Sequence, residues 1–158
     1  MPRALLTLLV LRHAEAAPQG DEPGDRARPL TKRGRHQADA MARHLVDEGP
    51  APDVVLCSPA LRTRQTADAL VDAGLRAEVR IVEALYHGGT ADYLREARAC
   101  EAPCVLIVAH NPTCAAIAAE FEGGGGSSAF TPASLLVAEW ANGTGRIVRR
   151  VAPDRLEA

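Results

Sequence analysis

The sequence ALLTLLVLRH at residues 4–13 joins a run of mostly aliphatic side chains to an arginine and a histidine. A short continuous apolar run of this kind is typical of a strand buried on both faces of a parallel sheet. We predict a strand over residues 4–11, with Arg12 and His13 at its carboxyl end. Ligands of open α/β sheets bind beyond the carboxyl ends of the strands, so this pair stands where a site would form.

The same stretch has a second interpretation, as a secretory signal peptide. Arg3 precedes the apolar run and small residues follow it. The run is at the short end for such a signal, however, and Arg12 follows it at once. We therefore favour the buried strand and expect a cytoplasmic protein, since no other stretch of the sequence is long and apolar enough for a membrane span.

The composition is that of a folded protein without a strong charge bias. A length of 158 residues suits a single domain over residues 1–158, and 47% of the residues are hydrophobic. The formal net charge of −2 provides no general attraction for nucleic acid or for an anionic membrane. The cysteines match no zinc or redox spacing, and we interpret Cys57 and Cys104 as buried apolar residues.

Apolar runs alternate with helical periodicity along the rest of the chain, after a loop over residues 16–29. Further strands are predicted over residues 53–57, 78–82 and 103–109, with a closing hairpin over residues 134–140 and 146–151. Helices are predicted from Thr31 to Gly49-Pro50, from Ser58-Pro59 to Ala73, over residues 91–99, and from Asn111-Pro112 to Phe121. Thr31, Ser58 and Asn111 are the predicted N-caps, and the prolines after Ser58 and Asn111 are predicted at the first helical position. This alternation implies an α/β fold: a three-layer α/β/α sandwich whose central sheet of about six strands is mainly parallel.

The glycine-rich stretch at residues 123–128, GGGGSS, is predicted to be a flexible loop. It lacks the lysine and the serine or threonine of a phosphate loop, and it does not stand between a strand and a helix in the required order. The sequence therefore gives no nucleotide-binding motif at this position.

Polar side chains stand at the carboxyl ends of three predicted strands. The first strand leads to Arg12 and His13, the second to Ser58 and then Arg62, and the fourth to His110. Each of these residues alone has an ordinary interpretation as a hydrogen-bonded or solvated polar group. Together, histidines, arginines and two helix amino termini at one edge of a sheet form a site for an anion such as phosphate.

Four motifs in this order resemble those of the histidine phosphatase superfamily: LRHAEA, LTKRGRHQA, CSPALRTRQTA and AHNP. The family's first motif is of the Arg-His-Gly type, and this chain has Arg12-His13-Ala14. In this it is most similar to the small SixA-like phosphohistidine phosphatases, whose first motif also has alanine in the third place. The resemblance runs from about residue 5 to residue 115 and implies a phosphoglycerate-mutase-like fold.

The resemblance also implies roles for individual residues. His13 would be the nucleophile that becomes phosphorylated, Arg12 and Arg62 would bind the phosphate, and His110 would donate to its oxygens. These residue types suit the chemistry, because a neutral imidazole can attack phosphorus and leave a phosphohistidine that water hydrolyses. No metal or other cofactor is implied, and we expect no carboxylate cluster for Mg²⁺.

The proton donor is where the sequence departs from the family pattern. Larger relatives use a glutamate in a segment that matches VEALYHGG, residues 82–89, where Glu83 precedes the leucine and His87 stands at the glutamate's place. Either His87 serves as the acid, or Glu83 reaches in, or no dedicated acid exists. An alcohol leaving group needs a proton, whereas phosphohistidine can leave as neutral imidazole when its other nitrogen is protonated. A phosphohistidine-containing protein is therefore the expected substrate.

Two other functions remain open at this point. The first is a phosphomonoesterase that uses the same site on a small phosphorylated metabolite. The second is a regulatory module that binds phosphate tightly without turnover, against which the intact His13 and His110 argue. A mutase would need a closed pocket, for which the chain is short. A metal site at His87 and His110 lacks ligand spacing.

Overall fold

The computed structural model describes residues 5–20, 24–124 and 129–156. The strands are β1 Leu6–Arg12, β2 Val54–Cys57, β3 Glu78–Ile81, β4 Cys104–Ala109, β5 Leu135–Ala141 and β6 Thr144–Val151. The helices are α1 Lys32–Glu48, α2 Leu61–Asp72, α3 Ala84–His87, α4 Thr90–Ala99 and α5 Thr113–Phe121, with 3₁₀ turns at Asp25–Ala27 and Pro153–Arg155. All predicted strands are present with ends shifted by at most two residues, and α3 is an addition. Most of the predicted glycine-rich loop, residues 125–128, lies outside the described residues.

The strands form one sheet in the order β3-β2-β4-β1-β5-β6. The pairs β3-β2, β2-β4 and β4-β1 are parallel, while β5 runs antiparallel to β1 and β6 antiparallel to β5. This confirms the predicted six-stranded, mainly parallel sheet. In its register Arg12 lies beside Ala109 and Cys57 beside Val108, so the chain leaves β1, β2 and β4 at one edge of the sheet.

Helices cover both faces of the sheet, as the predicted three-layer arrangement requires. On one face α1 and α2 contribute buried side chains that include Met41, Leu45 and Leu70. On the other face α3, α4 and α5 contribute Leu85, Tyr93 and Ile117. The strand β1 feeds alternate residues into both clusters, and its interior is almost fully buried, which explains its unbroken apolar sequence. Cys57 and Cys104 are buried as predicted.

The carboxyl end of β2 corrects the prediction that Ser58 caps the following helix. The helix α2 begins at Leu61, with Ala60 at the N-cap position. The backbone N–H of Ser58 donates to the carbonyl oxygen of Val108 at 3.1 Å, so the chain still follows the sheet at this residue. The turn into the helix therefore comes later than the Ser-Pro pair suggests, and the serine hydroxyl is left for another partner.

The start of α5 corrects the matching prediction for Asn111. The helix begins at Thr113, with Pro112 at the N-cap position. The Asn111 side chain still accepts a hydrogen bond from the N–H of Ala115 at 3.1 Å, and its amide donates to the carbonyl of Phe130 at 2.9 Å. Asn111 thus ties the first turn of α5 to the segment before β5.

Thr31 is the N-cap of α1 as predicted, and its hydroxyl oxygen accepts from the N–H of Gly34 at 2.9 Å. Gly34 itself lies against the chain that leaves β1: a Cβ at this position would stand 2.0 Å from the carbonyl oxygen of Glu15. We expect Gly34→Ala to lower the free energy of unfolding by about 2–3 kcal/mol, because overpacking outweighs the better helix propensity of alanine. Chemical denaturation measures this change.

Gly89→Ala is the matched control for that experiment. Gly89 has a φ of −94° and no neighbouring atom within 4 Å of its added Cβ. Its replacement should change the free energy of unfolding by less than about 1 kcal/mol. Equal losses in the two variants would contradict the close approach of α1 to Glu15.

Candidate active site

A cleft of about 360 Å³ opens at the edge of the sheet where β1, β2 and β4 end. Its lining includes five of the residues singled out in the sequence: Arg12, His13, Arg62, His87 and His110. The structure thus brings the predicted nucleophile, both predicted phosphate-binding arginines and two further histidines into one place. The lining also includes Glu15, Asp25, Arg28, Tyr86 and Asn111.

His13 directly follows β1 and is only 7% exposed. Its Nδ1 lies 2.7 Å from the carbonyl oxygen of Ala14, which can only accept a hydrogen bond. Nδ1 therefore carries the proton of the neutral ring, and Nε2 keeps its lone pair. Burial lowers the pKa of His13 to about 4, and the positive charges of Arg62 and Arg12 act in the same direction. The ring is accordingly neutral at pH 7 and available as a nucleophile.

His110 follows β4 and faces His13, with the two ring centroids 5.4 Å apart. Burial lowers the pKa of His110 to about 3, with Arg62 contributing in the same direction, so this ring is also neutral at pH 7. Its Nε2 lies 2.7 Å from the hydroxyl of Ser58, the partner left free by the late start of α2. When that hydroxyl donates to Nε2, Nδ1 carries the proton and can donate to a bound anion.

Arg12 and Arg62 are anchored by backbone carbonyls and a carboxylate. One terminal nitrogen of Arg12 donates to the carbonyl of Phe130 at 2.9 Å. Arg62, in the first turn of α2 and 6% exposed, donates to the carbonyl of Asp25 at 2.8 Å and to its Oδ2 at 3.1 Å. Both guanidinium groups are thereby held at their ends, which leaves their Nε atoms for other partners.

Unsatisfied nitrogens concentrate on the residues of this cleft. Among the described residues, five buried side-chain nitrogens lack a hydrogen-bond partner, and three of them are Nε of Arg12, Nε of Arg62 and Nδ1 of His110. A buried polar group without a partner costs about 1–3 kcal/mol. Three of them on one set of converging cationic and imidazole side chains indicate a site that an anionic acceptor completes.

The sequence interpretation missed a hydrogen-bonded group of cleft residues: Asp25, Arg28 and Tyr86. Oδ1 of Asp25 accepts from Nε of Arg28 at 3.0 Å, and Oδ2 accepts from the Tyr86 hydroxyl as well as from Arg62. The Tyr86 hydrogen bond, and next to it the charge of Arg62, lower the pKa of Asp25 to about 2, so the carboxylate is ionised. The opposite charges three residues apart in the loop after β1 are a signal that could have found Asp25 and Arg28, whereas Tyr86 had none.

The two predicted proton donors occupy different places. His87 ends α3 and lines the cleft, with its ring in edge contact with Tyr86 at a centroid distance of 4.4 Å. Glu83 precedes α3, is not part of the cleft lining, and forms an ion pair with Arg26 in which its side chain is 69% exposed. The hydrogen bond from Arg26 lowers the pKa of Glu83, which keeps the carboxylate ionised at neutral pH.

In the part of the chain that the structure describes there is neither a candidate metal site nor a helix that could span a membrane. Across residues 5–20, 24–124 and 129–156, no three histidine, cysteine or acidic side chains are grouped so that they could hold a metal ion. Within the same ranges, every helix is too short or too polar to cross a membrane.

Comparison with known proteins gives consistent matches. A family profile described as the histidine phosphatase superfamily (branch 1) matches residues 8–87, which run from β1 through α3. An uncharacterised protein of Mycobacterium leprae is 37% identical over 120 residues, 73% of each chain. The phosphohistidine phosphatase SixA of Escherichia coli K12 is 29% identical over 147 residues, 88% of this chain and 90% of that one. A solved structure of the protein histidine phosphatase SixA complexed with tungstate is 25% identical and has a TM-score of 0.84, covering 96% of this chain and 100% of that chain.

Proposed function

This chain belongs to the histidine phosphatase superfamily, and we propose that it removes phosphate from phosphohistidine on a protein through a covalent intermediate on His13. Membership of this family and the similarity to solved phosphatase structures support phosphatase activity. The observation that carries the proposal is the neutral His13 ring, whose Nδ1 is bonded to the carbonyl of Ala14 and whose Nε2 keeps its lone pair. The proposed location is the cytoplasm.

The proposed reaction has two displacements at phosphorus. Nε2 of His13 attacks the phosphoryl group as the bond to the leaving nitrogen breaks, which releases the substrate histidine and leaves phosphate on His13. Water then attacks the same phosphorus, frees the His13 ring and gives inorganic phosphate. The negative charge on the transferring group is spread over its three equatorial oxygens, for which Nε of Arg12, Nε of Arg62 and Nδ1 of His110 are the available donors. No metal or cofactor takes part.

The surroundings of the leaving group favour phosphohistidine over a phosphate ester. Glu83 is committed to Arg26 on the surface, and Asp25 is ionised, so neither holds a proton for an alkoxide at neutral pH. Phosphohistidine needs such a proton less, because its imidazole can leave in the neutral form. A second candidate, a phosphomonoesterase acting on a small phosphorylated metabolite, is favoured by one observation, namely that His87 lines the cleft as a potential acid.

The test compares substrates with different leaving groups. One protein is phosphorylated on a histidine and a variant of it on a serine at the same position, and kcat/KM is measured for each together with a generic aryl phosphate. We expect at least about a tenfold preference for phosphohistidine, by the proton argument above. Far faster hydrolysis of the aryl phosphate would favour the phosphomonoesterase. Tight phosphate binding without turnover of any substrate would favour the regulatory module.

A further inference from the structure

Asp25 is a charged residue of the cleft to which the proposed reaction assigns no step. It lies in the 3₁₀ turn Asp25–Ala27, within the loop between β1 and α1, and its side chain is 34% exposed. Although it is partly exposed, its carboxylate receives hydrogen bonds from Arg28, Arg62 and Tyr86. A carboxylate so placed is unexpected in a site for an anion, because it competes for the same cations.

The contacts of Arg62 show how the Asp25 carboxylate and a substrate phosphate can bind to the same guanidinium group. Both of its terminal nitrogens donate hydrogen bonds to Asp25, one to the backbone carbonyl and the other to Oδ2. These contacts occupy the end of the guanidinium, and Nε on its side has no partner. A guanidinium group has five N–H donors in a fixed plane. Asp25 can therefore fix the orientation of Arg62 through the terminal nitrogens and leave the Nε–H free to donate to phosphate.

The charge balance of the cleft gives Asp25 a second effect. Arg12, Arg28 and Arg62 all line the cleft, and Asp25 is bonded directly to two of them. Glu15 also lines the cleft, but its carboxylate accepts from the Thr31 hydroxyl at 2.7 Å and lies 3.9 Å from Arg33, on the α1 side. Asp25 therefore removes part of the positive potential that an incoming phosphate would meet.

We propose that Asp25 is a positioning residue that also acts as a resident counter-anion: it orients Arg62 and lowers the affinity of the cleft for free phosphate, so that the product leaves. This inference rests on the proposed phosphatase function, because it concerns release of the product of that reaction. A cleft with three uncompensated arginines would hold a phosphate dianion more tightly. Turnover would then be limited by product release, a step that is rate-limiting in many enzymes.

The experiment measures anion binding without turnover. Phosphate and tungstate are titrated calorimetrically into wild type, Asp25→Asn and Asp25→Ser at low salt. Both variants remove the charge and keep the backbone carbonyl that accepts from Arg62, and asparagine also keeps a side-chain oxygen of the same reach. We expect at least about tenfold tighter binding of both anions, with a gain that shrinks as salt screens the added field. Asp39→Asn is the control, since Asp39 is an exposed residue of α1 that does not line the cleft.

Steady-state kinetics give the second readout. In the Asp25 variants KM, the inhibition constant of phosphate and kcat should all fall. If Asp25 only held Arg62 in place, its loss would lower kcat without making phosphate bind more tightly. Anion affinities that are unchanged or weaker in both folded variants would overturn the inference. The proposed function has a separate failure: if no label reaches His13 in the wild type while the Asp25 variants bind phosphate more tightly, the covalent mechanism is wrong and the role of Asp25 in anion affinity stands.

Discussion

His13→Ala is expected to take up no phosphate label and to lose at least about 10⁴-fold in kcat/KM, because the nucleophile of a covalent mechanism has no substitute. The nearest other imidazole, His110, has its Nε2 bonded to Ser58 and lies 5.4 Å away between ring centroids. To measure this, the enzyme is incubated with a protein that carries labelled phosphohistidine. The reaction is then stopped with a denaturant that contains no acid, because acid would hydrolyse a phosphorylated histidine.

His36→Ala is the matched control for this variant. His36 is exposed on α1, so its loss removes an imidazole from the chain without touching the cleft. Wild type and His36→Ala should carry equal label, and a peptide map should place that label on His13. A His13→Ala variant that keeps its activity, or that still takes up label, would remove His13 from the nucleophile's role.

Arg62→Ala is expected to cost at least about 2–3 kcal/mol of transition-state stabilisation, read from kcat/KM, by comparison with the loss of one oxyanion donor in other enzymes. The physical reason is the unpartnered Nε of Arg62, which is buried in the cleft and faces no acceptor from the protein. The loss should be larger in kcat than in KM, because charge on the phosphoryl oxygens is distributed differently in the transition state.

Two further variants make the Arg62 result specific. Arg64→Ala removes an equal charge from the same helix at an exposed position and should leave the rate near that of the wild type. Arg62→Lys keeps the charge but not the planar fork, so it should recover only part of the activity. A near-normal rate for Arg62→Ala would show that this arginine does not bind the reacting phosphate.

The site residues at strand ends can be predicted from the sequence because their positions follow from local patterns. An apolar run that stops at Arg12-His13, and another that stops at His110, predict both the strands and the edge where they meet. The alternation of strands and helices predicts that these strands are parallel, while the pairing of β1 with β4 comes from the structure alone. For these residues the folded structure adds distances and burial, and it leaves the predicted neighbourhood unchanged.

The site residues that lie outside the strand ends and the long helices could not be predicted in this way. Asp25 comes to Arg62 through a 3₁₀ turn in a long loop, and such a path has no periodicity to reveal it. Tyr86 sits on α3, whose four residues are too few for a helical pattern. Ser58 shows a third kind of limit, because a Ser-Pro pair predicts a helix cap equally well whether the strand before it ends at once or continues its pairing.

The central place of β1 has a consequence for how this site can diversify. The N–H of His13 donates to the carbonyl of Ala109 in β4, and the carbonyl oxygens of Arg12 and His13 accept from the N–H of Ala133 just before β5, so the backbone at the nucleophile is held on both sides. Amide exchange there should require near-global opening. In its described residues the loop with Asp25 has one β-bridge, between its own ends at Ala16 and Leu30, and Asp25 contacts α2 through the side chain of Arg62, so this loop should open at a lower free energy. Insertions and substitutions in that loop can therefore alter which phosphorylated substrate fits the cleft at little cost to folding, while the nucleophile stays fixed.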